Sequence, residues 1–368
     1  MRTRTLERWL KRRLSTFLVW LLRPGTVTPR EIASAPVRRL LVIRQHNQMG
    51  DMVLALPALE ALRRAFPGAT LTFVAGPLSD ALLRDHADID HLIVFHKRRM
   101  FRPWNLWRFI RRLRAQRADL AVVLGTVSFS VTSAMLAWAS GARLRTGLSS
   151  RPWGSALSGA LYQLEIAPPE FDAHEVEHNL RFIRALGIEA PMRAPRLVPA
   201  APARSSAQAF LTSAFPEKVA PLIVMHVGAG KLSNLWPVER FAELAQRLMK
   251  RLDASIVVTE GPRDRDVVSS FRHQVPEAAH WHNDLVQTLG ILSLANLYVG
   301  NDTGISHVAA AVGTPCIVVF GPHDAKRWAP AGPRVQTVSP KSRRIEDVDV
   351  DQVFDAAARM LAYAPHVH

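Results

Sequence analysis

The 368-residue chain holds one cysteine, Cys316, so no internal disulfide can form and a disulfide-stapled scaffold is excluded. Cys316 stands in the apolar run Pro315-Cys316-Ile317-Val318-Val319-Phe320 and reads as a small core residue on a buried strand. A thiol without a bridge suits a reducing compartment. Cys/His spacing of the zinc type is missing, as are internal repeats and the Lys-Ser/Thr pair of a P-loop. The apolar stretch Phe17 to Leu22 is far shorter than the roughly 20 residues of a membrane span. No small-residue cleavage pattern follows it, which argues against a signal peptide.

Acid is scarce in two places. Between Met1 and Pro24, Arg2, Arg4, Arg8, Lys11, Arg12, Arg13 and Arg23 face only Glu7. Between Lys97 and Arg117 stand Lys97, Arg98, Arg99, Arg102, Arg108, Arg111, Arg112, Arg114 and Arg117 with no acid at all. These segments carry most of a formal charge of +16, which points to anionic partners: nucleic acid, anionic lipid or phosphorylated substrates. In the first segment Leu6, Trp9, Leu10, Leu14, Phe17, Leu18 and Leu21 recur at helical spacing. Two readings stand: an amphipathic helix lying in a lipid interface, or a helix packed on the protein's own core.

Hydrophobic residues make up 48% of the chain, enough for two cores, and the length suits two domains. From Arg38 onward apolar runs alternate with amphipathic stretches. Strands are expected at 40–43, 71–75, 91–95 and 120–124, with helices at 52–65, 78–84, 106–114 and 131–138. A proline-rich stretch with Pro191, Pro195, Pro199 and Pro202 reads as an extended connector. A second alternation follows, with strands at 222–225, 255–258, 297–299 and 316–319 and helices at 237–252, 306–312 and 350–361. This rhythm predicts an α/β chain of two Rossmann-like domains, with parallel sheets facing across a cleft. The expected divisions are a basic N-terminal segment (1–37), a first domain (38–189), a connector (190–206), a second domain (207–345) and a C-terminal helix (346–368).

Ligands of open parallel sheets gather at the carboxyl ends of the strands, and four strand-to-helix junctions carry unusual residues. Arg44-Gln45-His46-Asn47-Gln48-Met49-Gly50-Asp51 sets a carboxylate at a helix start. Asp51 there is either a plain N-cap or a proton acceptor facing a substrate hydroxyl. His226-Val227-Gly228-Ala229-Gly230-Lys231 offers small residues and a lysine to an anion. In Thr259-Glu260-Gly261-Pro262-Arg263-Asp264, an acid after a strand either binds ribose hydroxyls or, at Asp264, caps the next helix. Gly300-Asn301-Asp302-Thr303-Gly304-Ile305-Ser306-His307 opens a helix rich in small and hydroxyl residues, suited to a diphosphate or simply capped by Asp302 or Thr303.

That last segment, with Ala310-Ala311, Gly313-Thr314-Pro315 and Phe320-Gly321-Pro322, resembles the signature of family-nine glycosyltransferases, which include the lipopolysaccharide heptosyltransferases. Arg44, Gly50-Asp51 and Pro57, then His226, Gly228-Ala229 and Trp236-Pro237, then Gly261-Pro262 fall in the family's order, so the likeness runs from about Leu40 to Pro322. The resemblance implies a GT-B architecture with an acceptor domain first and a nucleotide-sugar donor domain second. It also implies inverting transfer from ADP-heptose to a glycolipid, with no obligatory metal or cofactor. On the same ground Asp51 is the general base. Gly228, Lys231, Asp264, Asp302, Thr303, Gly304 and His307 hold the donor.

Two departures are visible. Asn234 occupies the place, two residues before Trp236-Pro237, where the family commonly has a phosphate-binding lysine. The first loop is one residue longer, with five residues between Arg44 and Gly50. Trp104, Trp107 and Ile110 interleave with Arg108, Arg111, Arg112 and Arg114. In the implied frame Arg44, Arg111 and Arg112 meet a phosphorylated, lipid-linked acceptor or the anionic leaflet; the other reading of the segment is a solvated basic face over an ordinary core stripe. The expected place is the inner face of the cytoplasmic membrane. Two other functions stand beside this one. A sugar-nucleotide epimerase keeps the fold and changes the chemistry, and a nucleic-acid-binding module is weakened because no such motif appears.

Overall fold

The computed structural model describes residues 24–45, 48–169, 172–216 and 221–362. The basic amphipathic helix expected before Pro24 lies outside the described residues, as do His46 and Asn47 of the first junction.

Two compact units account for the fold. Among the described residues, one comprises those from 24 to 48 and from 55 to 193, the other those from 49 to 54 and from 194 to 362. The first unit holds β1 (Arg39–Arg44), β2 (Thr70–Ala75), β3 (His91–Val94), β4 (Leu120–Val123), β5 (Leu144–Leu148) and β6 (Leu164–Ile166). They pair in the order β3-β2-β1-β4-β5-β6, every pair parallel. The second unit holds β7 (Leu222–His226), β8 (Ser255–Thr259), β9 (Ala279–Trp281), β10 (Leu297–Asn301), β11 (Cys316–Val319) and β12 (Val335–Val338). Their order is β12-β11-β10-β7-β8-β9, again all parallel. Two Rossmann-like parallel sheets in one chain are the GT-B class of α/β fold.

The central strands form where the sequence has unbroken β-branched and aliphatic runs. Every residue of β7, β8, β10 and β11 is buried, as a sheet covered on both faces requires. Strands β5, β6, β9 and β12 were not foreseen. Leu-Arg-Thr-Gly-Leu, Leu-Glu-Ile, Ala-His-Trp and Val-Gln-Thr-Val are short and carry polar residues. Such strands lack the apolar run that reveals a central one. Cys316 is fully buried in β11.

Three expected elements differ, one being the helix expected over 78–84, which is a 3₁₀ turn Pro77–Ser79 followed by the helix Asp80–Leu83. The helix expected over 52–65 is broken into Met49–Val53 and Leu56–Ala65. Pro57 sits in the first turn of the second piece, because proline lacks the N–H that would continue the ladder from the first. The extended connector ends at Ala200. From Ala201 to Ala214 the chain is helical, with Pro202 in the first turn, where its missing donor costs nothing. In the second unit Trp236, Phe241 and Phe271 pack with Val350, Val353, Ala356 and Ala357 of the helix Val350–Ala362.

Candidate active site

In the second unit, the site is organised by the turn after β10. Asn301 is fully buried, and its side chain ties three segments together. Its Oδ1 accepts the Trp236 backbone N–H at 3.0 Å, and its Nδ2 donates to the carbonyls of Val227 and Gly228 at 3.2 and 3.0 Å. The Ser306 hydroxyl donates to the Asn301 carbonyl at 2.6 Å and lies 2.9 Å from the Tyr298 hydroxyl. Satisfied this way, the buried polar groups fix the loop after β7 beside the start of the helix Gly304–Ala311. Thr303 is the N-cap residue of that helix, in extended conformation, yet its side chain makes no cap hydrogen bond. The Ser306 N–H donates to the Thr303 carbonyl at 3.2 Å, which leaves the N–H groups of Gly304 and Ile305 as the ones an anion could meet.

Asp302, just before that helix, is held by Asn234 and His323. Asn234 Nδ2 donates to the Asp302 carbonyl and to Oδ2, both at 3.2 Å. His323 Nδ1 lies 2.5 Å from the same Oδ2. Burial pushes the Asp302 carboxyl above the ordinary carboxylate value, while the hydrogen bond and charge of His323 and the charge of Lys231 pull it back. Lys231 is exposed at the head of the short 3₁₀ turn Leu232–Asn234. Asn234 thus fills the place of the family's lysine with a buried donor directed at Asp302.

Asp264 is engaged by its own unit's loops. It occupies the N-cap position before the helix Arg265–Gln274 but makes no cap bond. Its Oδ2 instead accepts the Gly261 N–H at 3.0 Å and lies 3.5 Å from His226 Nε2. The carboxylate presses on Gly228, where a Cβ would fall 2.2 Å from its Cγ. His226 Nδ1 in turn sits 3.0 Å from the Thr259 hydroxyl. Burial drives the His226 imidazole below its ordinary pKa, despite the opposing Asp264 charge. Asp264 and His226 therefore brace the two glycine-bearing loops against each other.

The segment carrying Asp51 belongs to this same unit. A Cβ on Gly50 would lie 2.8 Å from His307 Cδ2, and a Cβ on Gly304 2.8 Å from the Cβ of Met49. Met49-Gly50 is thus seated on the first turn of the helix Gly304–Ala311. Asp51, half-buried, is the next residue, in the third position of the helix Met49–Val53 and not at its cap.

The basic residues of the first unit divide into two kinds. Arg44 is buried, its guanidinium 3.4 Å from Asn179 Oδ1, in a polar cluster where the Thr126 hydroxyl bonds the buried Glu175. Arg111 and Arg112 are exposed on the helix Pro103–Ala115. Arg111 stands over the Trp107 ring at 5.5 Å, and Arg108 over Trp104 at 5.9 Å. Only Phe109 and Leu113 of this helix are buried. Trp104 and Trp107 stack at 4.8 Å with 62% and 48% of their surface exposed, beside Phe101 at 82%.

The family described as glycosyltransferase family 9 (heptosyltransferase) matches residues 106–356, more than half of the chain. The chain belongs to glycosyltransferase family 9. This glycosyltransferase is 24% identical to lipopolysaccharide heptosyltransferase 1 of Escherichia coli, over 78% of its length and 88% of the relative's. It is 25% identical to lipopolysaccharide heptosyltransferase 1 of Pseudomonas aeruginosa, over 77% and 79%. Among solved structures, a family-9 glycosyl transferase from Veillonella parvula superposes with a TM-score of 0.78 at 22% identity, covering 89% and 98% of the two chains. The E. coli heptosyltransferase WaaC solved with ADP gives 0.72 at 21% identity, covering 88% and 99%.

The family match takes in the loop of Lys231 and Asn234 and the turn of Asp302 to His307; Arg44 and Asp51 precede it. Within the glycosyltransferase, sequence reasoning missed His323. It follows Phe320-Gly321-Pro322, a stretch the reading had noted, but nothing in its spacing announced a partner for a carboxylate 21 residues earlier.

Proposed function

We propose that this glycosyltransferase transfers a heptose-type sugar from an ADP-linked donor to a glycolipid of the bacterial envelope, with inversion at the anomeric carbon. The observation that carries the reading is the seating of Met49-Gly50 on Gly304 and His307, next to Asp51 in sequence. In the proposed step Asp51 accepts the proton of an acceptor hydroxyl. That oxygen bonds to the anomeric carbon as the bond from carbon to the nucleoside diphosphate breaks. Negative charge grows on the leaving diphosphate, where the open first turn at Thr303 and Gly304 and the Lys231 cation stabilise it more than the ground state. Asp302, oriented by Asn234 and His323, takes sugar hydroxyls. Gly228 lets the backbone approach the donor, and Asp264 acts by holding that loop in place. Support for the donor comes from relatives named as heptosyltransferases and from the structure of one of them with ADP.

The acceptor reading rests on the first unit's basic helix. Nine cations without an acid, flanking stacked and exposed tryptophans, match an anionic lipid surface bearing phosphorylated sugars. No helix among the described residues is long and apolar enough to cross a membrane. We place the enzyme peripherally on the leaflet that presents its acceptor, the inner face of the cytoplasmic membrane. Arg111 and Arg112 meet the headgroups there, and Arg44 acts from within the fold by fixing Asn179.

A thermal-shift screen of ADP-, UDP-, GDP- and CMP-linked sugars tests the donor, since each ligand stabilises according to its affinity. ADP-heptose is expected to raise the melting temperature most. A larger rise with another nucleotide would overturn the donor assignment. Turnover of the nucleotide sugar without any acceptor, into an epimer, would overturn the transfer reading.

A further inference from the structure

Glu260, His280 and His282 have no role in the reaction above, yet the sheet brings them together. Strands β8 and β9 pair in register with Val258 opposite His280 and Thr259 opposite Trp281. The Glu260 N–H continues this ladder, donating to the Trp281 carbonyl at 3.2 Å. Side chains two residues apart on a strand share a face. Glu260, His280 and His282 therefore project to one side of the sheet's edge, with Glu260 opposite His282.

The donor atoms converge. Glu260 Oε2 is 2.9 Å from His280 Nε2, and Oε1 is 3.1 Å from His282 Nδ1. One donor atom from each of the three side chains lies within 4.8 Å of the others. His280 Nε2 is buried, and despite the nearby carboxylate no hydrogen bond of acceptable angle satisfies it. A buried nitrogen close to an oxygen but misaligned for a hydrogen bond leaves its lone pair open to a third centre. The carboxylate is nearly enclosed, whereas the His282 side chain is 68% exposed, so the group opens to solvent on one side.

We propose that Glu260, His280 and His282 form a binding site for a divalent first-row transition ion, zinc by the ligand set, at the free edge of the second unit's sheet. Two imidazoles and a carboxylate suit zinc, with cobalt or ferrous iron as near substitutes. The fourth position lies on the open side. Bound there, the ion ties edge strand β9 to β8 and adds to the unit's stability.

The test uses the full-length, tag-free protein, stripped with chelator and dialysed against zinc or cobalt. About one equivalent of zinc per chain is expected by elemental mass spectrometry, and cobalt should give the visible absorption of a low-symmetry site. Zinc should raise the melting temperature of the native protein and leave that of the H280A/H282A double variant unchanged. The double variant should bind at least about 100-fold more weakly, since loss of even an outer-shell partner costs roughly 10- to 100-fold. H91A, which removes an exposed histidine of β3, is the control and should retain the metal. Substoichiometric zinc in the native protein overturns the proposal, as does full retention by the double variant. Both readouts are independent of transferase activity, so they stand apart from the fate of the heptosyl-transfer reading.

Discussion

The His307 ring occupies the space into which any side chain at Gly50 would grow: an added carbon would sit 2.8 Å from Cδ2 and 3.0 Å from Nε2. One residue before the proposed base thus leans on a residue proposed to hold the donor. Gly50→Ala must push the ring away. It should cost about 1–3 kcal/mol, as overpacking does elsewhere, measured by urea unfolding. Adding His307→Ala should recover part of that loss in stability but not the activity. If Gly50→Ala unfolds like the native protein and retains full turnover, the close approach has no consequence.

Asp51→Asn keeps the shape and removes the proton acceptor. Turnover should fall by about 10²- to 10⁴-fold, the usual weight of a general base. Nucleotide affinity, measured by calorimetry, should stay within about twofold because no interaction with the ground-state donor is removed. A near-normal kcat would rule Asp51 out as the base.

His323 and Asn234 both act on Asp302, so their effects on donor binding should not add. In a double-mutant cycle of Asn234→Ala and His323→Ala, a coupling of about 0.5–3 kcal/mol is expected. His323 also opposes the rise that burial imposes on the Asp302 carboxyl. Its loss should raise that pKa further and move the acidic limb of donor affinity to higher pH. A limb that stays in place, or moves toward acid, would mean that Asp302 does not need its charge for the donor.

Burial holds His226 below its ordinary value of 6.5 in the folded protein. The unfolded chain then binds that proton more readily, so unfolding takes up protons and stability drops as pH falls through about 6.5. The melting temperature should decline between about pH 7 and about pH 5. His226→Asn, which cannot titrate, should flatten this slope even if it lowers the temperature at neutral pH. A slope unchanged by the substitution would assign the acid sensitivity to other groups.

Trp104 and Trp107 project into solvent on a helix whose only charged residues are arginines. Trp104→Ala/Trp107→Ala should weaken binding to phosphatidylglycerol-containing vesicles in a sedimentation assay, and added salt should weaken it further by screening the arginines. Glutamate at Arg111 and Arg112 should weaken acceptor binding and spare the donor. Equal loss of both would contradict the acceptor role.

The sequence by itself determined the class of fold. Buried parallel strands must be continuous apolar runs, and those of β1, β7, β8, β10 and β11 are visible without any structure. It also marked the turn Asn301–His307, because a helix start built of small and hydroxyl residues is locally encoded. Only the tertiary structure decided what lies against what. That Asp302 is gripped by Asn234 and His323, that Asp264 turns inward to Gly261 and His226, and that Glu260 meets two histidines all depend on sheet register and on loops brought together from distant parts of the chain. Pairing between strands is a relation between separate segments, and no periodicity within either segment records it.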